Sequence, residues 1–191
     1  YTPCRARKSF PQSRQHLRHK GENMVKPIIV NLPYPSLDCI TRDTCSAEII
    51  APAYAGMHGE LNAILQYVYH HFYFDKEGNS QTADTLIGIS VAEMKHLEIL
   101  GDMMLRLGVD PVYARRPPYK CDFYSAGFVS YSKTAKKMLM DDISGELIAI
   151  RDYEEILKRL CNEDVAAVIS RIKMDEELHI RVLKAELERL C

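Results

Sequence analysis

Gly59-Glu60-Leu61-Asn62-Ala63-Ile64-Leu65-Gln66-Tyr67 and Gly145-Glu146-Leu147-Ile148-Ala149-Ile150-Arg151-Asp152-Tyr153 are two copies of one pattern, G-E-L-x-A-I-x-x-Y. Each copy is followed by a second shared pattern, E-x-x-H-[LI]-x-[IV]-L. It reads Glu93-Met94-Lys95-His96-Leu97-Glu98-Ile99-Leu100 after the first copy and Glu176-Glu177-Leu178-His179-Ile180-Arg181-Val182-Leu183 after the second. The Glu-to-Glu separations are 33 residues (60 to 93) and 30 residues (146 to 176), so the halves superpose with a small difference in loop length. One match of either pattern would be weak. Two in the same order mark an internal duplication.

Residues three, four and seven apart share one face of a helix, and apolar residues recur at that spacing in four runs. The first extends over about 47–74 through Ile50, Met57, Leu61, Ile64 and Val68. The second covers about 82–107 through Leu86, Ile89, Leu97, Leu100, Met103 and Met104. The third covers about 134–160 through Leu139, Ile143, Leu147, Ile150, Ile156 and Leu157. The fourth covers about 164–190 through Val165, Ile169, Ile172, Leu183, Leu187 and Leu190. Residues 75–80 read as a loop, Gly108 as a left-handed helix stop and Asn162 as an N-cap. Residues 109–133 carry Pro111, Pro117 and Pro118 and have no period, and strand signals are absent after residue 36. The sequence therefore predicts an all-α four-helix bundle of two hairpins, with one long crossover between helices two and three. A pseudo-two-fold axis should relate helix one to three and helix two to four.

On those helices Glu60 shares a stripe with Met57, Ile64 and Tyr67, and Glu93 and His96 lie between Ile89 and Leu100. Glu146 sits between Ile143 and Ile150, and Glu176 with His179 between Ile172 and Leu183. All six should point into the core, about midway along each helix, with no Lys or Arg on the stripes at that level. Unpaired buried carboxylates are costly, and four together repel. Two divalent ions would balance them, −4 against +4. His58, His70 and His71 have no partner pattern and read as surface or helix-end residues. Cys161, Met103 and Met104 read as core or helix-end packing.

One Glu from each of two helices and a Glu-x-x-His from each of the others is the di-iron or di-manganese carboxylate signature. Over about residues 47–190 the chain resembles the ferritin-like superfamily, in particular rubrerythrin di-iron domains, bacterioferritins and manganese catalases. The resemblance implies Glu60 and Glu146 as terminal carboxylates, Glu93 and Glu176 as bridges, and His96 and His179 as one ligand to each of two Fe or two Mn ions. Tyr67 and Tyr153 could hydrogen-bond the carboxylates, and Asp175 could orient a ligating imidazole. Rubrerythrins carry a further Glu one turn after the helix-three ligand, where this chain has Ala149, and often a rubredoxin module. The six cysteines here (4, 39, 45, 121, 161, 191) form no C-x-x-C pair. The implied activity is oxidoreduction of hydrogen peroxide or dioxygen, peroxidase-like or catalase-like. A peroxidase would draw on an external electron-donor protein. Iron storage with ferroxidase activity, or a structural coat-type role, are the alternatives. Carboxylate and imidazole accept both Fe and Mn. A homo-oligomer is expected.

Composition agrees with a globular chain: 47% hydrophobic, 27% charged, and no apolar run long enough for a bilayer. Of 25 basic and 26 acidic residues, six and one respectively fall in residues 1–23, so the remainder carries a net charge of −6. That basic stretch is read as a disordered, solvated arm, not as a nucleic-acid or membrane-binding element. Met24 is read as the start of the working protein, residues 24–46 as an extended leader and residues 47–191 as the metal-binding domain. The arm has no apolar core of a secretory signal, so reduced thiols and a cytoplasmic location are expected.

Overall fold

A computed structural model describes residues 25–190; the expectations for the arm at residues 1–23 lie outside them. The elements are α1 (Thr44–Ala55), α2 (Glu60–Lys76), α3 (Ser80–Leu107), a 3-10 turn (Ala126–Phe128), α4 (Ala135–Arg159) and α5 (Glu163–Arg189). Among the described residues there is no strand, only an isolated antiparallel bridge between Ala114 and Phe123 inside the crossover. The fold is the expected four-helix bundle: α2 and α3 form one hairpin, α4 and α5 the other. Caps explain several boundaries. Asn79 accepts from Thr82 N and Asn162 from Val165 N, while Gly108 closes α3 at φ 91°.

The first predicted helix is broken in two. Pro52 lies inside α1, and the Gly56 N–H folds back onto the Pro52 carbonyl at 3.0 Å. A Cβ on Gly56 would stand 2.4 Å from that oxygen, and one on Gly59 2.6 Å from the Ala53 carbonyl, so only glycines allow this turn. The helical period of the sequence ran straight through the break. Met57 falls in the turn and is exposed, and Glu60 is the first residue of α2, not a mid-helix residue. Leu147, counted as apolar face, is 53% exposed. With Glu146 turned inward, the next residue lies roughly 100° further round the helix and faces solvent.

Two apolar clusters fill the bundle. One gathers Ile50, Leu100, Met103, Met104, Ile169 and Ile172 beneath α1. The other gathers Phe74, Leu86, Ile89, Met138, Leu139 and Leu183 at the opposite end. Between them lies a polar layer formed by the six duplicated residues. Leader residues run along α3 and α5: Ile28 N donates to Gly88 O at 3.1 Å, and the Arg171 guanidinium donates to the carbonyls of Val30 and Leu32. No described helix is long and apolar enough to cross a membrane.

Candidate metal centre

Glu60, Glu93, His96, Glu146, Glu176 and His179 all reach the polar layer, each at most 4% exposed. Two overlapping groups form there. Glu60, Glu93, His96 and Glu176 offer one set of donor atoms within 4.8 Å of one another, and Glu93, Glu146, Glu176 and His179 offer the second. Glu93 and Glu176 belong to both. Either set could hold a metal ion, and the shared pair could serve two at once.

Each imidazole aims Nδ1 at the carboxylates. His96 Nδ1 lies 3.0 Å from Glu93 Oε2, 3.1 Å from Glu176 Oε1 and 3.6 Å from Glu60 Oε2. His179 Nδ1 lies 3.0 Å from Glu93 Oε1, 3.1 Å from Glu176 Oε2 and 3.6 Å from Glu146 Oε1. Among the described residues Glu93 Oε1 and Glu176 Oε1 are buried and make no hydrogen bond, although an imidazole nitrogen lies 3.0 Å from the first and 3.1 Å from the second. Buried acceptors left open in a ring of carboxylates suit cations. The donor set therefore fits a carboxylate-rich pair of metal ions.

Charge in the metal-free centre is distributed unevenly. Burial, then Glu93 and Glu176, push the Glu60 carboxyl well above its ordinary pKa, and burial, Glu176 and Glu93 do the same to Glu146. Glu93 is held well below the ordinary value: burial opposes this, but hydrogen bonds from Glu60 and the charge of His179 outweigh it. For Glu176, burial and Glu93 are likewise outweighed by His96 and His179. Burial alone would strip the imidazoles of their protons, yet Glu176 and Glu60 raise His96, and Glu93 and Glu146 raise His179. Without metal, raised carboxyls and raised imidazoles both favour protons in the layer, which offset negative charge there as cations would.

The surroundings are built from both hairpins. Tyr67 on α2 donates to Glu146 Oε1 on α4, and Tyr153 on α4 donates to Glu60 Oε1 on α2. Their seven-residue offset from Glu60 and Glu146 was legible, but the tyrosines serve the opposite hairpin. Asp175 Oδ2 accepts from His96 Nε2 at 3.1 Å and from the Tyr34 hydroxyl at 2.6 Å. Its Oδ1 accepts from Val30 N at 2.7 Å and faces Arg171 at 2.8 Å. Burial opposes ionisation of Asp175, but these donors, His96 first, hold its pKa at about 2. His179 Nε2 instead meets the Ile28 carbonyl at 2.8 Å.

Several residues were not foreseen. His70 is not a surface residue but fully buried, with Nδ1 at 2.8 Å from Asp142 Oδ1 and Nε2 at 3.0 Å from the Ser130 carbonyl. Gln66 donates to Asp142 at 2.9 Å and accepts from Ser130 N at 2.9 Å. Asp142 lies one turn before Glu146, a spacing visible in the sequence, whereas its partner 72 residues away was not. Arg171 is buried one turn from Asp175 and pairs with its Oδ1 without reaching the six ligand candidates. His58 is exposed, and His71 Nδ1 contacts the Ala83 carbonyl at 2.9 Å. Met103 and Met104 are core residues, while Cys161 is exposed in the α4–α5 turn.

A cavity of about 310 Å³ runs between α2 and α4 from exposed His58, Lys137 and Ser144 to the buried carboxylates of Glu60, Glu93, Glu146 and Glu176. Ala149 is part of its wall. A small polar molecule can reach the polar layer by this route.

The chain belongs to the ferritin-like domain family, which matches residues 55–190. Among solved structures it is similar to wild-type KatB, a manganese catalase from Anabaena, with 21% identity and a TM-score of 0.72 over 84% of this chain and 79% of that one. A second structure, KatB from Anabaena PCC7120, gives 20% identity and a TM-score of 0.72 over the same shares. At this identity the likeness speaks for the fold. No curated protein sequence matches the chain.

Proposed function

We propose that the chain is a di-metal oxidoreductase that disproportionates hydrogen peroxide, with Glu60, Glu93, His96, Glu146, Glu176 and His179 as ligands of two manganese or two iron ions. The observation that carries this reading is the pair of overlapping donor sets sharing Glu93 and Glu176, at the floor of a solvent-connected cavity. The fold likeness to manganese catalases supports the choice of peroxide over other substrates.

When bound, the metal pair would supply two one-electron redox equivalents held side by side. The chain's own part is electrostatic and positional. Glu93 and Glu176 would hold both ions, and Glu60 and Glu146 one each. Tyr67 and Tyr153, both buried, fix the orientation of those terminal carboxylates. Buried Leu86, Ile89, Leu100 and Ile172 lie in the apolar clusters on either side of the layer, leaving the cavity as the path for peroxide in and oxygen and water out.

The net reaction, two hydrogen peroxide to two water and one dioxygen, needs no external electrons. The test is metal analysis of protein from cells supplied with both metals, followed by peroxide addition under an oxygen electrode. One dioxygen per two peroxide without reductant supports the reading. Peroxide loss that demands a reductant and evolves no oxygen would replace it with a peroxidase served by an electron-donor protein. Oxidation of Fe(II) with mineral retained in a shell would replace it with iron storage.

A further inference from the structure

We propose that leader residues 26–34 are a working part of the metal centre, and that they make its two metal positions inequivalent. This rests on the di-metal reading above. The duplication predicts equivalent halves, and the residues facing the centre obey it: Glu60 matches Glu146, Glu93 matches Glu176, and His96 matches His179. Behind the imidazoles the match fails. The residue before Glu176 is Asp175, whereas the residue before Glu93 is Ala92. His96 Nε2 therefore meets a carboxylate, at 3.1 Å from Asp175 Oδ2. On the other side, His179 Nε2 meets a peptide carbonyl of the leader, at 2.8 Å from Ile28 O.

A carbonyl oxygen only accepts, so His179 keeps a proton on Nε2 whatever its charge, and the neutral ring that would ligate a metal turns its Nδ1 lone pair toward Glu93 and Glu176. The leader thus selects the tautomer that can ligate a metal. A carboxylate behind an imidazole makes it a stronger donor than a neutral carbonyl does, and such outer partners commonly change metal affinity by about 10–100-fold. The His96 position is the tighter one.

The leader packs closely over Gly88 on its way to His179, and any side chain at residue 88 would have to displace it. A Cβ there would meet Ile28 Cδ1 and Cγ1 at 3.1 Å and the Lys26 carbonyl at 3.3 Å. The Ile28 N–H is bonded to the Gly88 carbonyl at 3.1 Å, so the leader lies directly on this turn of α3. Gly88 is otherwise unfavourable, since glycine inside a helix costs about 1 kcal/mol relative to alanine. The same leader also braces the other side, through Val30 N and the Tyr34 hydroxyl on Asp175.

The experiment titrates Mn(II) into the metal-free full-length chain by calorimetry and by electron paramagnetic resonance. The parent should bind in two steps at least tenfold apart, an isolated Mn(II) spectrum at one equivalent giving way to a coupled pair at two. Gly88→Ala should weaken the second step roughly tenfold or more and move the first less than about threefold. Adding Ile28→Ala to Gly88→Ala removes the two nearest atoms of the clash and should recover most of the second step. Asp175→Asn should instead weaken the first step, which keeps the proposal testable if Gly88→Ala does not fold. Equal steps in the parent, or a second step unmoved by Gly88→Ala, overturn the inequivalence while leaving a di-metal protein. A parent that binds no Mn(II) and no Fe(II) overturns the di-metal reading itself.

Discussion

Tyr153 donates its hydroxyl to Glu60 across the bundle, from the C-terminal half of α4 to the first turn of α2. Tyr67 and Glu146 make the same contact in the opposite direction. Each hairpin therefore holds a buried carboxyl of the other, Glu60 or Glu146, and the polar layer joins the hairpins where apolar packing is interrupted. Removing either hydroxyl leaves a buried carboxylate oxygen without its donor, at a cost of about 1–3 kcal/mol. Tyr153→Phe and Tyr67→Phe should each lower the denaturant midpoint of the metal-free chain accordingly. The two changes meet in one network, so the double variant should depart from additivity. Strict additivity in chemical denaturation would show two independent contacts.

Acidity gives a second expectation, with the sign set by who holds the protons. Glu60, Glu146, His96 and His179 have raised pKa values, so the folded metal-free chain binds more protons than the unfolded one. The contribution of the two carboxyls falls as pH rises from the ordinary carboxylate range, and that of the two imidazoles from the ordinary imidazole range, each through its raised value. Glu93, Glu176 and Asp175 are lowered, and their contribution is lost only as pH drops below that range. The metal-free melting temperature should peak in mild acid and decline toward alkaline pH. Mn(II) replaces protons, so its stabilising effect should be larger near about pH 8 than near about pH 5. A metal effect that shrinks with rising pH would contradict an exchange of protons for metal in this layer.

Glu146→Gln removes one negative charge and one good ligand from the second donor set. Added Mn(II) or Fe(II) should raise the parent's melting temperature, because the unfolded chain has no preformed site; the shift follows RT ln(1 + [L]/Kd). The variant should keep its far-UV circular dichroism and lose most of that metal-dependent rise, together with oxygen evolution from peroxide. Two metals bound as tightly as in the parent would place the fourth carboxylate elsewhere.

Buried His70 and Asp142 support a further prediction, away from the ligand set. His70→Ala leaves Asp142 with Gln66 as its remaining partner and releases the Ser130 carbonyl. Leaving a buried polar group without its partner costs about 1–3 kcal/mol. The Ser130 amide, at the end of the crossover beside the cavity, should lose hydrogen-exchange protection. His58→Ala, at an exposed position, should stay within about 0.5 kcal/mol of the parent. Equal midpoints for the two variants would mean that the His70 pair contributes nothing net.

Local chemistry in the chain was enough to specify four helical runs, their caps at Asn162 and Gly108, the long crossover and the inward set of six. These rest on short-range rules: a 3.6-residue period, a left-handed glycine, and the cost of four buried carboxylates, stated twice by the duplication. What the sequence could not decide depends on chain segments far apart meeting in space. The break at Gly56–Gly59 hides within an unbroken period, because the same spacing serves two helices packed on one core. His70 looks like a surface residue until Asp142, 72 positions later, closes on it. The crossed tyrosines, and the leader carbonyl behind His179 where the repeat offers only Ala92, depend on how the hairpins and leader pack. A backbone carbonyl has no sequence identity, so only the tertiary structure could reveal its part in the centre.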